Sequence, residues 1–227
     1  MTTAQTPPGA SPRQPAPHQA SYPRPIKRRL EIIAALLLSI TTVVTAWSAY
    51  QSSRWSGDMS VLFNEANATR AQESRQLALA DSQLTIDVGV FLNYVEAVAN
   101  ENKALSDFLY ARFRPEMKVA VTAWLATDPL ENPDAPATPF EMPEYVLAAR
   151  EEAARLNTLA AEKSAAALVA NQVGDDYTLL AILFAATLFF AGISTKFQSL
   201  RVAVLLLIIG WLLLFFSVFT MIGYGVA

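Results

Sequence analysis

Two stretches of the sequence contain no charged side chain, and they constrain the fold more than any other feature. They are residues 177–195 and 202–224 of a 227-residue chain that is 53% apolar and only 16% charged. A helix rises about 1.5 Å per residue, so about 20 apolar residues cross a bilayer core of about 30 Å. Residues 31–50 form a third such stretch, in which Glu31 at the start is the single charge. We therefore predict three transmembrane helices, which excludes a soluble monomer.

The distribution of charge predicts how these helices are oriented. Residues 1–30 hold five basic residues and no acid, and the link 196–201 holds two more basic residues. Residues 51–176, in contrast, hold 10 basic and 19 acidic residues. Because basic residues beside membrane spans stay on the cytoplasmic side, we expect residues 1–30 and the link to form a cytoplasmic tail and a cytoplasmic loop. Residues 51–176 and the carboxyl terminus are then extracytoplasmic, and the expected location is a bacterial inner membrane.

Basic and aromatic side chains at the ends of the predicted spans are candidates for membrane anchoring. Tryptophan and tyrosine concentrate at membrane–water interfaces, and clustered lysine and arginine contact anionic headgroups. The predicted anchors are Lys27, Arg28, Arg29, Trp47, Tyr50, Trp55, Tyr177, Lys196, Arg201 and Tyr224.

Small side chains recur along each predicted span at helical spacing. Such residues let membrane helices approach closely, and a seven-residue repeat predicts left-handed crossings at about 20°. The predicted packing residues are Ala35, Ser39, Thr42, Ala46 and Ala49 in the first span, Ala181, Ala185 and Gly192 in the second, and Ala203, Gly210 and Ser217 in the third. The sequence leaves open whether the first-span residues face the other two spans or another copy of the chain.

The region between the first and second spans is predicted to be an all-α hairpin or bundle. Apolar residues at three–four spacing extend the helix of the first span to about residue 105. A second helical stretch over residues 106–126 contains Pro115, which breaks or kinks a helix. A proline-rich acidic loop follows at residues 128–143.

A further long helix is predicted over residues 144–172. Glycine is unfavourable inside a helix, so we expect Gly174 to interrupt it before the second span. Asp175 or Asp176 is then expected to cap the helix of that span.

The first thirty residues have a different composition, with seven of the thirteen prolines lying between residues 7 and 25. Such a segment cannot bury a core, so we predict a disordered tail. The only histidine of the chain, His18, lies within this tail.

The sequence lacks most of the groups on which enzyme sites depend. There is no cysteine and a single histidine, so we expect no catalytic site, no cofactor and no metal. Nucleic-acid binding is not expected because the outer region is acidic. The remaining chemical alternative is a carboxylate-only site on Asp128, Glu131 and Asp134, which would bind calcium or serve a membrane hydrolase.

The segment Ala46–Trp55 has the sequence AWSAYQSSRW. Together with the basic tail, the outward helical region and the terminal two-span hairpin, it resembles an uncharacterised family of bacterial membrane proteins. The resemblance covers residues 28–224 in layout and implies no activity.

We predict a non-enzymatic inner-membrane protein that acts through helix–helix contacts as an assembly or accessory subunit. Its expected partners are the lipid bilayer and either a second copy of the chain or another membrane protein. The alternative is a membrane-anchored sensor whose outer bundle detects a ligand or envelope stress and signals through a partner.

Overall fold

The regular secondary structure of the described residues is helical. A computed structural model describes residues 24–129 and 131–226; it is 84% helical, with no strand in these two ranges. The elements are α1 (Arg24–Ala99), α2 (Lys103–Ala111), α3 (Pro115–Leu125), a short 3₁₀ helix (Pro139–Glu141), α4 (Ala148–Ser194) and α5 (Leu200–Ile222). The predicted all-α class is therefore confirmed. Helices α1, α4 and α5 are each long and apolar enough to cross a membrane, which confirms that part of the prediction.

Helix α1 begins earlier than the sequence predicts, because the last residues of the expected disordered tail are helical. It starts at Arg24, and Pro25 lies in its first turn, where a missing N–H costs little. Lys27 Nζ lies 4.0 Å from Glu31 Oε1 one turn later, a spacing that supports a helix. The remainder of the predicted tail, including His18, lies outside the described residues.

At its other end α1 stops at Ala99, short of the predicted position near residue 105. Glu101 has a positive φ of 53°, which a continuing right-handed helix does not accept. Asn102 then caps α2, because its side-chain oxygen accepts a hydrogen bond from the Leu105 N–H at 3.1 Å. Pro115 separates α2 from α3 as predicted and occupies the first turn of α3.

The predicted interruption at Gly174 is wrong, since α4 runs through it without a break. Gly174 is buried, and a Cβ added there would lie 3.5 Å from Trp55 Cβ and 3.6 Å from both the Ser52 carbonyl oxygen and Ser56 Oγ. The absence of a side chain thus lets α4 approach α1 closely, which offsets the poor helix propensity of glycine. Asp175 accepts a hydrogen bond from the Asn171 side chain at 3.1 Å within α4, so it is not a helix cap.

The chain divides into two compact units. Unit 1 comprises the described residues of Met1–Tyr50 together with Tyr177–Val226, and unit 2 comprises Gln51–Asp176. Helices α1 and α4 each contribute residues to both units.

Unit 1 is a three-helix bundle whose buried residues recur with a seven-residue period. Gly210 marks the point where its helices meet, because an added Cβ would lie 3.0 Å from Leu37 Cδ2 on α1 and 3.8 Å from the Thr187 carbonyl oxygen on α4. The buried positions are Ala34, Leu37, Thr41 and Ser48 on α1, Tyr177, Leu180, Phe184, Thr187, Ala191 and Ser194 on α4, and Ala203, Leu207, Gly210, Leu214 and Ser217 on α5. Alternating steps of three and four residues are the spacing of left-handed helix packing.

Unit 2 is built on an antiparallel pair of helices, formed by the α1 and α4 residues within it. Ion pairs join Glu65 to Lys163 and Asp81 to Arg150. The later residue of α1 thus pairs with the earlier residue of α4, which shows that the two helices are antiparallel. Helices α2 and α3 and the proline-rich loop fold against the last part of α1, around Phe91. Their core is a cluster of buried apolar residues: Phe91, Phe113, Met117 and Val121.

Candidate functional site

Two of the aromatic residues predicted as membrane anchors are exposed near the end of the first predicted span. Trp47 and Tyr50 are each about half exposed, and their ring centroids are 5.8 Å apart. Trp55 is partly buried in unit 2. The five predicted basic anchors are all exposed: Lys27, Arg28, Arg29, Lys196 and Arg201.

Tyr177, another of the predicted anchors, is buried within unit 1, where it is 1% exposed. Its hydroxyl donates a hydrogen bond to the Gly225 carbonyl at 3.0 Å, and its own carbonyl accepts one from Ser48 Oγ at 2.8 Å. Its ring packs edge-on against Tyr224, with the centroids 5.7 Å apart. Tyr177 therefore joins α1, α4 and the segment after α5, while Tyr224 is half-buried beside it.

The predicted packing residues of the second and third spans have different environments. Ala203, Gly210 and Ser217 on α5 are buried in the bundle. On α4, Ala181 and Gly192 are only half-buried and Ala185 is exposed. The larger residues Leu180 and Phe184 take the interior of α4 instead, which a search restricted to small side chains misses.

The predicted packing residues of the first span all face outward. Ala35, Ser39, Thr42, Ala46 and Ala49 are each exposed, while a different face of α1 packs into the bundle. The hydroxyls on this small-residue face bond to their own helix: Ser39 Oγ donates to the Ala35 carbonyl and Thr42 Oγ1 to the Leu38 carbonyl, both at 2.8 Å. The two hydroxyl donors on this face are therefore satisfied within α1.

A ridge of large apolar side chains runs beside this small-residue face with the same four–three spacing. Leu36, Ile40 and Val43 are 55%, 44% and 69% exposed, and the ridge continues through Trp47 and Tyr50. Successive residues on a helix lie about 100° apart, so the ridge follows the small-residue face along the helix. The small-residue face forms a groove along α1, called the small-residue groove below. A groove and a ridge with the same spacing are the two parts of a ridges-into-grooves contact.

A buried charged cluster in unit 2 was not anticipated from the sequence. Asp87 on α1 is 2% exposed, and Arg114 Nε donates to its two carboxylate oxygens at 3.1 and 3.3 Å. Tyr145, after the proline-rich loop, donates its hydroxyl to Asp87 Oδ2 at 2.8 Å. A buried carboxylate requires such partners, and here they come from two other parts of the chain.

The environment of Tyr145 favours its neutral form. Burial raises the pKa of Tyr145 far above its ordinary value, and the hydrogen bond to Asp87 and the negative charge of that carboxylate raise the pKa further. Arg114 Nη2 is buried without a hydrogen-bond partner among the described residues, although it lies 3.9 Å from Glu116 Oε2. The hydrogen bonds from Arg114 and Tyr145 to Asp87 hold the end of the proline-rich loop and the start of α3 against α1.

The carboxylates considered as a cation site are exposed on the loop. Asp128 has a positive φ of 52°, and its carbonyl accepts a hydrogen bond from the Glu131 N–H at 3.0 Å. Within the part of the chain that the structure describes, no group of three or more His, Cys, Asp or Glu residues is arranged to hold a metal ion.

The fold defines the class of protein as an all-helical chain with three helices able to span a membrane. No protein-family model, curated protein or solved structure matches the chain. The resemblance carried by Ala46–Trp55 therefore stays a prediction.

Proposed function

We propose that this protein is a non-enzymatic membrane protein that acts in an assembly through α1, with a second copy of the chain as the partner. One observation supports the proposal above all: the five small residues predicted to pack helices are exposed on α1, while another face of α1 packs into the bundle.

The shape of the exposed face of α1 fits association with a second copy. Residues 35–49 extend over about 21 Å of helix, most of the thickness of a bilayer core. In a two-fold dimer the large-residue ridge of one copy would lie in the small-residue groove of the other, and the reverse contact would form by symmetry. Close approach of small residues is a main source of helix association in lipid, where apolar burial gives no drive.

We further propose that the membrane is a bacterial inner membrane and that the start of α1 faces the cytoplasm. The charge difference between residues 51–176 and the basic ends supports this orientation. Because the chain has no cysteine, single cysteines at Gln198 and Asp134 can be labelled in intact cells with a membrane-impermeant thiol reagent. We expect labelling at Asp134→Cys alone, and labelling at Gln198→Cys alone would reverse the orientation.

The association itself is tested by disulfide crosslinking in native membranes. Ala46→Cys places a thiol in the small-residue groove, and we expect oxidation to yield a covalent dimer. Phe219→Cys is the matched control, because Phe219 is 79% exposed near the corresponding end of α5 and lies outside the groove. Equal crosslinking of the two variants, or none at Ala46→Cys, would reject the proposal. A disulfide-linked adduct with a different protein would instead identify that protein as the partner of α1.

A further inference from the structure

An open groove lies between α1 and α4 within unit 2, called the α1–α4 groove below. Its volume is about 620 Å³. Small-molecule sites in proteins usually have volumes of about 300–1,000 Å³, so this groove is large enough for an organic ligand. Helix α1 contributes Trp55, Asp58 and Val61 to its lining, and α4 contributes Ala166, Val169 and Ala170.

The walls of the α1–α4 groove are apolar and exposed. Val61 and Val169 are 56% and 62% exposed, whereas Ala170 between the helices is buried. Removing valine side chains from water is favourable in proportion to the apolar area covered. These two side chains therefore favour a ligand that has an apolar body.

Asp58 is the one charged side chain among the described residues that line the groove. It is partly buried, and no described residue forms an ion pair or a hydrogen bond with it, not even Arg54 one helical turn earlier. The buried carboxylate of Asp87, in contrast, has Arg114 and Tyr145 as partners. A partly desolvated carboxylate that lacks such partners gains most from a cationic ligand.

Trp55 also favours a cation in this groove. It lies three residues before Asp58, which places the two side chains on the same side of α1. The face of a tryptophan ring attracts a cation that lies within about 6 Å of its centre. A carboxylate and an indole ring are therefore neighbours in an apolar groove.

The charges around the α1–α4 groove are mostly negative. Lys163 is paired with Glu65, so it adds no free positive charge. The resulting field attracts cations and repels anions. Apart from Asp58, the charged residues within two helical turns of the groove are the acids Glu65, Glu162, Asp175 and Asp176 and the bases Arg54 and Lys163.

We propose that the α1–α4 groove binds one amphipathic organic cation, a primary ammonium that carries a short apolar body. The ammonium donates hydrogen bonds to the Asp58 carboxylate and lies near the Trp55 ring. The apolar body covers Val61 and Val169. A neutral molecule with the same body lacks the ion pair, and a small amine without the body leaves both valines exposed.

Binding is tested with the full chain in phosphatidylcholine nanodiscs, with empty nanodiscs as the background. The probes are 4-phenylbutylamine, its uncharged counterpart 4-phenylbutan-1-ol, the anion 4-phenylbutyrate, and methylamine, which lacks the apolar body. Ligand-observed NMR measures the affinity of each. We expect saturable binding of 4-phenylbutylamine, binding of the alcohol that is about tenfold weaker, and no binding of the anion or of methylamine. Affinity for any of the other three probes equal to that for 4-phenylbutylamine would overturn the proposal.

Asp58→Asn removes the charge and preserves the shape of the side chain. We expect it to lower the affinity for 4-phenylbutylamine about tenfold, the equivalent of one hydrogen bond to a charged group, and to leave the affinity for the alcohol within about twofold. Glu162→Gln is the matched control, because it removes one negative charge from an exposed residue outside the groove. It should change the affinity by less than about twofold. Equal losses in the two variants would show that surface charge alone attracts the amine, which would overturn the proposal.

Ala166→Trp fills the α1–α4 groove without changing any charge, so it should abolish binding of 4-phenylbutylamine. Ala154→Trp is the matched control at an exposed position of α4 outside the groove and should bind as the wild type does. Size-exclusion chromatography and the thermal unfolding midpoint establish that each variant is folded. Unchanged binding in Ala166→Trp would exclude the groove. Amine binding and the crosslinking of Ala46→Cys are separate measurements, so either proposal can fail while the other stands.

Discussion

Tyr145 donates a hydrogen bond of 2.8 Å to Asp87, and this contact joins two residues 58 positions apart in the sequence. Asp87 lies on α1 and Tyr145 follows the proline-rich loop. The bond therefore holds the segment that leads into α4 against α1. Arg114 completes the contact from the start of α3. One buried carboxylate therefore joins α1, the start of α3 and the end of the proline-rich loop.

Replacing Asp87 by alanine is expected to lower the free energy of unfolding by about 2–3 kcal/mol, because it leaves the partly buried Arg114 guanidinium and the Tyr145 hydroxyl without their partner. The measurement is chemical unfolding of the full chain in a mild detergent, followed by tryptophan fluorescence. Asp81→Ala is the matched control, because its pair with Arg150 at 3.4 Å is exposed and should contribute less than about 1 kcal/mol. Similar losses in the two variants would contradict the assignment.

The raised pKa of Tyr145 predicts a loss of stability at alkaline pH. In the unfolded chain tyrosine releases its proton at about pH 10, whereas the folded protein retains the Tyr145 proton to a higher pH. The unfolded state then binds fewer protons, so stability falls as the pH rises above about 10. Tyr145→Phe lacks this proton.

We therefore compare the thermal unfolding midpoints of the wild type and Tyr145→Phe between about pH 8 and about pH 11. At about pH 8 the wild type should unfold at a higher temperature than Tyr145→Phe. This difference between the two midpoints should shrink as the pH rises. A difference that stays constant across this range would show that the Tyr145 hydroxyl is not coupled to folding. Other titrating groups are common to both proteins and cancel.

The sequence predicts the helices and the apolar spans because charge-free runs and helical periodicity are local signals. It predicts less well which face of each helix is buried. On α1 the regular small residues face outward and the bundle buries Leu37 and Thr41, a choice made by packing against α4 and α5.

The Asp87 cluster was detectable only in part. Asp87 shares a helix face with the partly buried Leu84 and the buried Phe91, so an acid on an apolar face indicates a hidden partner. The partners Arg114 and Tyr145 are distant in sequence, and no local pattern identifies them. Gly174 illustrates the opposite case, where a correct local propensity is overridden by a close helix contact.

Two glycines in the apolar helices should respond differently to alanine. At Gly210 an added Cβ would lie 3.0 Å from Cδ2 of the fully buried Leu37, whereas at Gly192 nothing lies within 4 Å. We expect Gly192→Ala to be neutral or stabilising by up to about 1 kcal/mol, from helix propensity. Gly210→Ala should be about 1–3 kcal/mol less stable than Gly192→Ala because of overpacking. Thermal unfolding in detergent ranks the two variants, and the reverse order would contradict the packing.

The proline-rich loop depends on a second hydrogen bond, in which Trp124 Nε1 donates to the Pro136 carbonyl at 2.7 Å. Trp124→Phe preserves an aromatic contact with Phe91, whose ring centroid is 5.6 Å away, but removes the donor. Loss of one such bond costs about 1 kcal/mol, so local opening of the loop should increase about fivefold.

Cleavage by a glutamate-specific protease measures this opening, because the loop contains Glu131 and Glu141 and cleavage follows the population of the open state. We expect Trp124→Phe to be cut within the loop several times faster than the wild type. Trp47→Phe is the control, because Trp47 belongs to unit 1 and the loop to unit 2. This substitution is expected to leave the cleavage rate of the loop unchanged. Equal rates in the wild type and Trp124→Phe would show that the loop is held by its ring contacts alone. A faster rate confined to Trp124→Phe would assign that restraint to a single indole N–H.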